Sequence, residues 1–174
     1  MKKTSTIFIL LLSLFLISCE GDQGPTGPQG APGPQGPAGS VNIVTFQYTL
    51  SPGNRSVESV STVVWARQSP EITSAINNNG VVLAYYKQPE ATTWVTLPRA
   101  YELDGFVGEI SYQFNTGMFY TVFIDYGGDV EDYMDFFNNH LVRVVLIPPG
   151  TTLTGLNIDD FEEVQNHFDL EFED

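Results

Sequence analysis

The chain contains one cysteine in 174 residues, Cys19, and it follows Leu16-Ile17-Ser18 at the end of an apolar run from Ile7 to Ile17. A single thiol at that position points to covalent attachment, and it leaves the remainder without a disulfide, a thiol nucleophile or a cysteine metal ligand. Four other sets of side chains carry chemical potential. Asp125, Asp129, Glu131, Asp132 and Asp135 crowd one stretch, and oxygen ligands at that density suit a structural calcium ion. Their spacing matches no EF-hand, and acidic runs in acidic chains are ordinarily solvated. Tyr85, Tyr86 and Trp94 suit a stacking platform for a sugar, although aromatic residues on alternating strands otherwise fill a core. Consecutive residues of a strand face opposite ways, so one of the two tyrosine rings is expected at the surface beside Trp94. His140 and His167, the two histidines, neighbour no GxSxG, HExxH or phosphate-cradling sequence, and both are expected at the surface. A carboxylate pair for glycoside hydrolysis is set by the fold and is not readable here. Arg143 interrupts an apolar segment on the same face as Leu141, Val145 and Ile147; a guanidinium buried there needs a carboxylate partner, which makes it structural.

The elements that carry these residues begin with an export signal: Met1-Lys2-Lys3, the apolar run, and a small residue before the cut. A helix over the run reaches roughly 17 Å against a hydrocarbon core of about 30 Å, so it is too short to stay as a span. Leu16-Ile17-Ser18-Cys19 resembles the lipobox of bacterial lipoproteins. The resemblance implies a diacylglycerol thioether on Cys19, cleavage between Ser18 and Cys19, and acylation of the freed amine. Acyl chains in that number exceed what stable anchoring requires. Residues 1–18 are then the signal peptide.

Glycine follows at every third position: Gly21, Gly24, Gly27, Gly30, Gly33, Gly36 and Gly39. At about 7% average usage, chance places glycines in such register less than about once in a million. Prolines at 25, 28, 32, 34 and 37 preset the polyproline-II angle, and a three-chain winding admits only glycine at its axis. Residues 19–40 are therefore a lipid-anchored collagen-like stalk, either a triple helix of three copies or a single polyproline spacer roughly 55–60 Å long. Together with Glu20, Asp22 and an acidic, aromatic-rich remainder, this N-terminus resembles the collagen-like lipoproteins of some Gram-negative bacteria. That resemblance implies an outer-membrane location, on the periplasmic face or the cell surface, and a C-terminal domain without an assigned activity.

Removal of Lys2 and Lys3 leaves five basic residues, Arg55, Arg67, Lys87, Arg99 and Arg143, against 21 acidic ones, a net charge of about −16. Nucleic acid is excluded as a partner for want of a basic stripe, and so is electrostatic attachment to anionic lipid. Residues 41–174 suffice for one domain with its own core. Short period-two runs mark strands at 44–50, 62–66, 81–87, 92–97, 106–114, 118–126 and 141–147, with Asn115-Thr116-Gly117 as a hairpin turn. The run 141–147 is almost wholly apolar and reads as a central strand covered on both faces. Two short helices fit, one capped by Ser69 with Pro70 at its first position and Gly80 past its end. The other starts at Asp159, with Ile158, Phe161, Val164 and Phe168 at helical spacing. The expected fold is all-β, a β-sandwich or Greek-key barrel with one or two short helices. The expected function is non-enzymatic: a lipid-anchored envelope protein for adhesion or matrix interaction, with a glycan or extracellular protein as ligand. A carbohydrate-binding module and an enzyme of unrecognised type are the alternatives.

Overall fold

Backbone alternation between apolar and polar residues pairs nine strands into two antiparallel sheets in a computed structural model, which describes residues 42–103 and 106–172. The signal sequence, Ser18, Cys19 and the glycines from Gly21 to Gly39 lie outside the described residues. One sheet has the order β1-β9-β4-β5, from β1 (Val44–Thr49), β9 (Leu141–Ile147), β4 (Val81–Lys87) and β5 (Val95–Thr96). The other has the order β2-β3-β8-β7-β6, from β2 (Arg55–Ser59), β3 (Thr62–Ser69), β8 (Gly117–Asp125), β7 (Phe106–Asn115) and β6 (Arg99–Leu103).

Inward-facing side chains of both sheets form one core. Phe46, Ala84, Tyr86, Val142, Val144 and Leu146 come from the first sheet, and Val63, Trp65, Ile110, Phe119 and Phe123 from the second. Two phenols bridge the sheets: Tyr48 hydrogen-bonds Thr121, and Tyr112 donates to the Val82 carbonyl at 2.8 Å. The outer face of the first sheet is covered in turn. Leu83, Tyr85, Val145 and Ile147 pack under Phe161 and Val164 of helix α2 (Phe161–Phe168) and under Leu170. Strand β9 thus lies between β1 and β4 with both faces covered, as its almost wholly apolar run predicts. Each of its five buried aliphatic side chains contributes roughly 1.5–3 kcal/mol.

Other local expectations are corrected. Nine strands replace the expected seven, because the polar edge strands β2 and β6 carry little apolar alternation, and the run 92–97 pairs only at Val95–Thr96. The first helix, α1, spans Ser74–Asn79 with Thr73 as its cap. Ser69 cannot cap it, since β3 pairs with β8 as far as Ser69 opposite Gly117. Gly80 does end α1, and a Cβ there would meet the Ile147 carbonyl at 2.8 Å. Helix α2 is capped by Asp160, one residue later than expected, whose carboxylate accepts from the amides of Glu162 and Glu163. Ile158 falls outside it. The hairpin forms as read, Asn115 pairing with Met118 across Thr116-Gly117, with Gly117 at φ 85°.

Candidate functional site

The chain passes from the first sheet to the second between β5 and β6, through the cis Leu97–Pro98 peptide. Both are edge strands, so the sheets part there. The opening is a cleft of about 450 Å³ between the end of β4, the β5–β6 crossing and the turn Met134–Phe137. Lys87, Gln88, Arg99 and Glu102 form its walls, and Tyr86, Tyr101 and Phe136 its base.

Alternation along the strands decides which groups face inward. On β6, Arg99 and Tyr101 share one face and Glu102 takes the other; on β4, Tyr86 turns into the core while Lys87 turns outward. The Tyr86 hydroxyl hydrogen-bonds Nδ1 of His140, which is 4% exposed and lies edge-on to Phe136 and Phe137. Burial pushes His140 down to about 4. The imidazole is neutral at physiological pH, so one of the pair, Nδ1 or the Tyr86 hydroxyl, donates to the other according to the ring's tautomer. The Tyr86 hydroxyl also hydrogen-bonds the Tyr101 hydroxyl, which accepts from Gln88 Nε2 at 2.6 Å. Burial raises both phenols above the usual range, and the charge of Arg99 acts on each in the opposite sense. Gln88, Tyr101, Tyr86 and His140 thus form a line of neutral, mutually oriented polar groups from the rim to the buried base.

The residues singled out from sequence are distributed differently. Neither tyrosine of the expected platform is exposed, with Tyr85 at 0% and Tyr86 at 2%. Sheet and helix cover both faces of β4, so there is no solvent side for either ring. Tyr85 packs on Phe161 and donates to the Ile158 carbonyl at 2.6 Å. Half-buried Trp94 lies on the same outer side, 5.4 Å from Phe161, at the wall of a second cleft of about 380 Å³ with Asp159, Asp160 and Glu162. Tyr85 and Trp94 therefore meet around Phe161, whereas Tyr86 belongs to the first cleft.

Three acids of the acidic stretch have separate partners. Asp125 is buried and accepts from the Gly127 amide, Asp129 caps the turn Val130–Asp132 through the Glu131 amide, and Asp135 pairs with Arg55 at 2.9 Å. The side chain of Asp132 is outside what is described. Among the described residues no group of three His, Cys, Asp or Glu side chains is placed to hold a metal ion. His167 is exposed near the end of α2, but His140 is buried, contrary to expectation, because Tyr86 and the Phe136–Phe137 turn enclose it. Arg143 is held by Gln47, to which its Nε donates at 2.7 Å, and by the rings of Trp94, Phe161 and Phe172. Sequence reasoning missed Gln88, Arg99 and Tyr101; the one signal was an arginine and a tyrosine two residues apart just after a proline. Compared with known proteins, the chain matches no family model, no curated protein and no solved structure.

Proposed function

We propose that this chain is a lipid-anchored cell-envelope protein, held in the outer membrane by acyl chains on Cys19. In this reading it displays its β domain on a Gly-X-Y stalk for adhesion, and the cleft between β4 and β6 engages the ligand. The observation that carries the binding role is the base of the cleft. Gln88 is hydrogen-bonded to Tyr101 and Tyr86 to His140, which burial keeps neutral, so the line offers fixed, uncharged hydrogen-bonding groups at neutral pH. The anchor rests on Leu16-Ile17-Ser18-Cys19 and the stalk on the glycine register. Three copies wind together if the stalk is a triple helix, and a single chain serves equally as a spacer. The facing sheets are then a β-sandwich, with the cleft at one edge.

Carbohydrate binding is the second reading, favoured by the Phe136 ring, 37% exposed beside the planar amide of Gln88. Cells producing the wild-type chain or a Tyr101→Phe/Gln88→Ala variant are to be compared for adherence to immobilised glycans and extracellular matrix proteins. Loss of adherence in the variant supports the cleft, and equal adherence overturns it. Labelling with radioactive palmitate that persists in Cys19→Ser overturns the anchor.

A further inference from the structure

We infer that the ligand of this cleft is a saccharide bearing a carboxylate, and that Arg99 is the group that selects the charge; the inference rests on the binding role proposed above. It begins from an inventory of the five cations outside the signal sequence. Arg55 is paired with Asp135 at 2.9 Å, and Arg67 with Glu71 at 3.5 Å while lying over Phe46. Arg143 is enclosed by Gln47 and three rings, and Lys87, which also lines the cleft, has its ammonium over Trp94, 5.0 Å from the ring centre. Arg99 differs. It is exposed at the cleft, and among the described residues it has neither a carboxylate within ion-pair distance nor an aromatic ring beneath its guanidinium. In a chain with 21 acidic residues, an arginine left uncovered beside a cleft is the local exception to a surface that repels anions.

Its placement gives that exception a chemistry. Arg99 and Tyr101 share the inward face of β6, and the Arg99 charge is felt at the hydroxyls of both Tyr86 and Tyr101. Glu102, the acid in the same cleft, sits on the opposite face of the strand and does not neutralise it. A guanidinium takes a carboxylate through two parallel hydrogen bonds, a geometry that a lysine does not supply. In the same lining the exposed Gln88 amide spends one N–H on Tyr101 and keeps its carbonyl and second N–H for a ligand. The partly exposed ring of Phe136, 5.8 Å from that of Tyr101, provides an apolar face. Carboxylate fork, planar amide and exposed ring within about 450 Å³ are the complements of a sugar acid: its charge, its hydroxyls and its C–H face. A phosphate or a simple carboxylic acid would satisfy the guanidinium and leave the amide and ring unused.

The test uses the full-length chain purified in detergent, with binding read by calorimetry and biolayer interferometry. The acidic probes are polygalacturonate, alginate, hyaluronate and sialyllactose, and the neutral ones are methyl-esterified polygalacturonate, dextran and lactose. The expected result is binding of at least one acidic saccharide, weakened at least tenfold when its carboxylate is esterified or absent. Arg99→Gln should abolish that preference, and Arg67→Gln, whose guanidinium is paired with Glu71 outside the cleft, should retain it. Circular dichroism identical to wild type shows that Arg99→Gln is folded, and Arg99→Lys, which keeps the charge without the fork, should recover only part of the affinity. Binding of neutral saccharides as tightly as acidic ones, with sensitivity to Gln88→Ala, overturns the charge selection and leaves the binding role standing. Binding to no acidic probe, or binding unchanged in Arg99→Gln, overturns the inference. Whether the cleft binds at all is then decided separately by adherence in the Tyr101→Phe/Gln88→Ala variant.

Discussion

The guanidinium of Arg143 lies over the ring of Trp94, 4.3 Å from its centre, and this contact joins three segments that are distant in sequence. Arg143 sits on the outer face of β9, Trp94 precedes β5, and Phe172 stacks on the same guanidinium at 4.4 Å. The C-terminal stretch is fixed further by Thr45, whose hydroxyl donates to the Glu171 carbonyl at 3.0 Å. A cation in the most apolar strand is accommodated because delocalised charge is weakly hydrated and aromatic faces receive it.

Arg143→Ala should lower the stability of the domain by roughly 1–3 kcal/mol, and Phe172→Ala by a smaller amount in the same direction. Urea denaturation followed by far-UV circular dichroism measures both. The double variant should lose less than the sum of the singles, because the two residues share one contact. Strict additivity would show that they do not act together.

Gly108 allows β7 to lie against β8 where a side chain has no room. A Cβ there would come within 2.5 Å of the Ile124 carbonyl and 2.8 Å of the Phe123 ring. Gly108→Ala is therefore expected to cost about 1–3 kcal/mol through overpacking, read as a lower urea midpoint. Gly127→Ala, which meets nothing within 4 Å, should change the midpoint little.

His140 gives the domain a pH dependence of definite sign. Its folded value of about 4 lies below the ordinary 6.5, so the unfolded chain binds the extra proton between those limits. The contribution is fully present above pH 6.5 and is lost as the pH falls towards 4. His140→Gln should flatten the dependence of the urea midpoint on pH in that window and leave the slope between pH 7 and 8 unchanged. Parallel curves for the two proteins across the acidic window would contradict the assignment.

The two forms of stalk differ in what one methyl group does. In a triple helix Gly30 sits at the axis, so Gly30→Ala should dissociate a trimer; in a lone polyproline spacer the substitution should be silent. Sedimentation of the chain from residue 20 onward, at high concentration, distinguishes the two.

Strand β9 was legible because a strand covered on both faces needs no polar side, and its run, apolar but for Arg143, says so. The same signal was present in β4, whose sequence from Val81 to Tyr86 is equally apolar, and it already implied that Tyr85 and Tyr86 would both be buried. Edge strands β2 and β6 escaped because a strand paired on one side is not obliged to alternate. The burial of His140 was not readable, since its environment comes from Tyr86, 54 residues away in sequence. The cleft was hidden for the same reason: Gln88 lies just past the end of β4, Arg99 and Tyr101 lie on β6, and what unites them is the crossing between sheets.

Because β1 and β4 both run antiparallel to β9, they run parallel to each other. Val44 and Val82 lie opposite Leu146, whereas Thr49 and Lys87 lie opposite Leu141. Strand β1 begins at the Val44 end, and the cleft opens at the Lys87 end. Force applied between those two ends would run along the strands and load the β1–β9 and β9–β4 hydrogen bonds together in shear, so that this sheet is not unzipped one rung at a time from the pulled end.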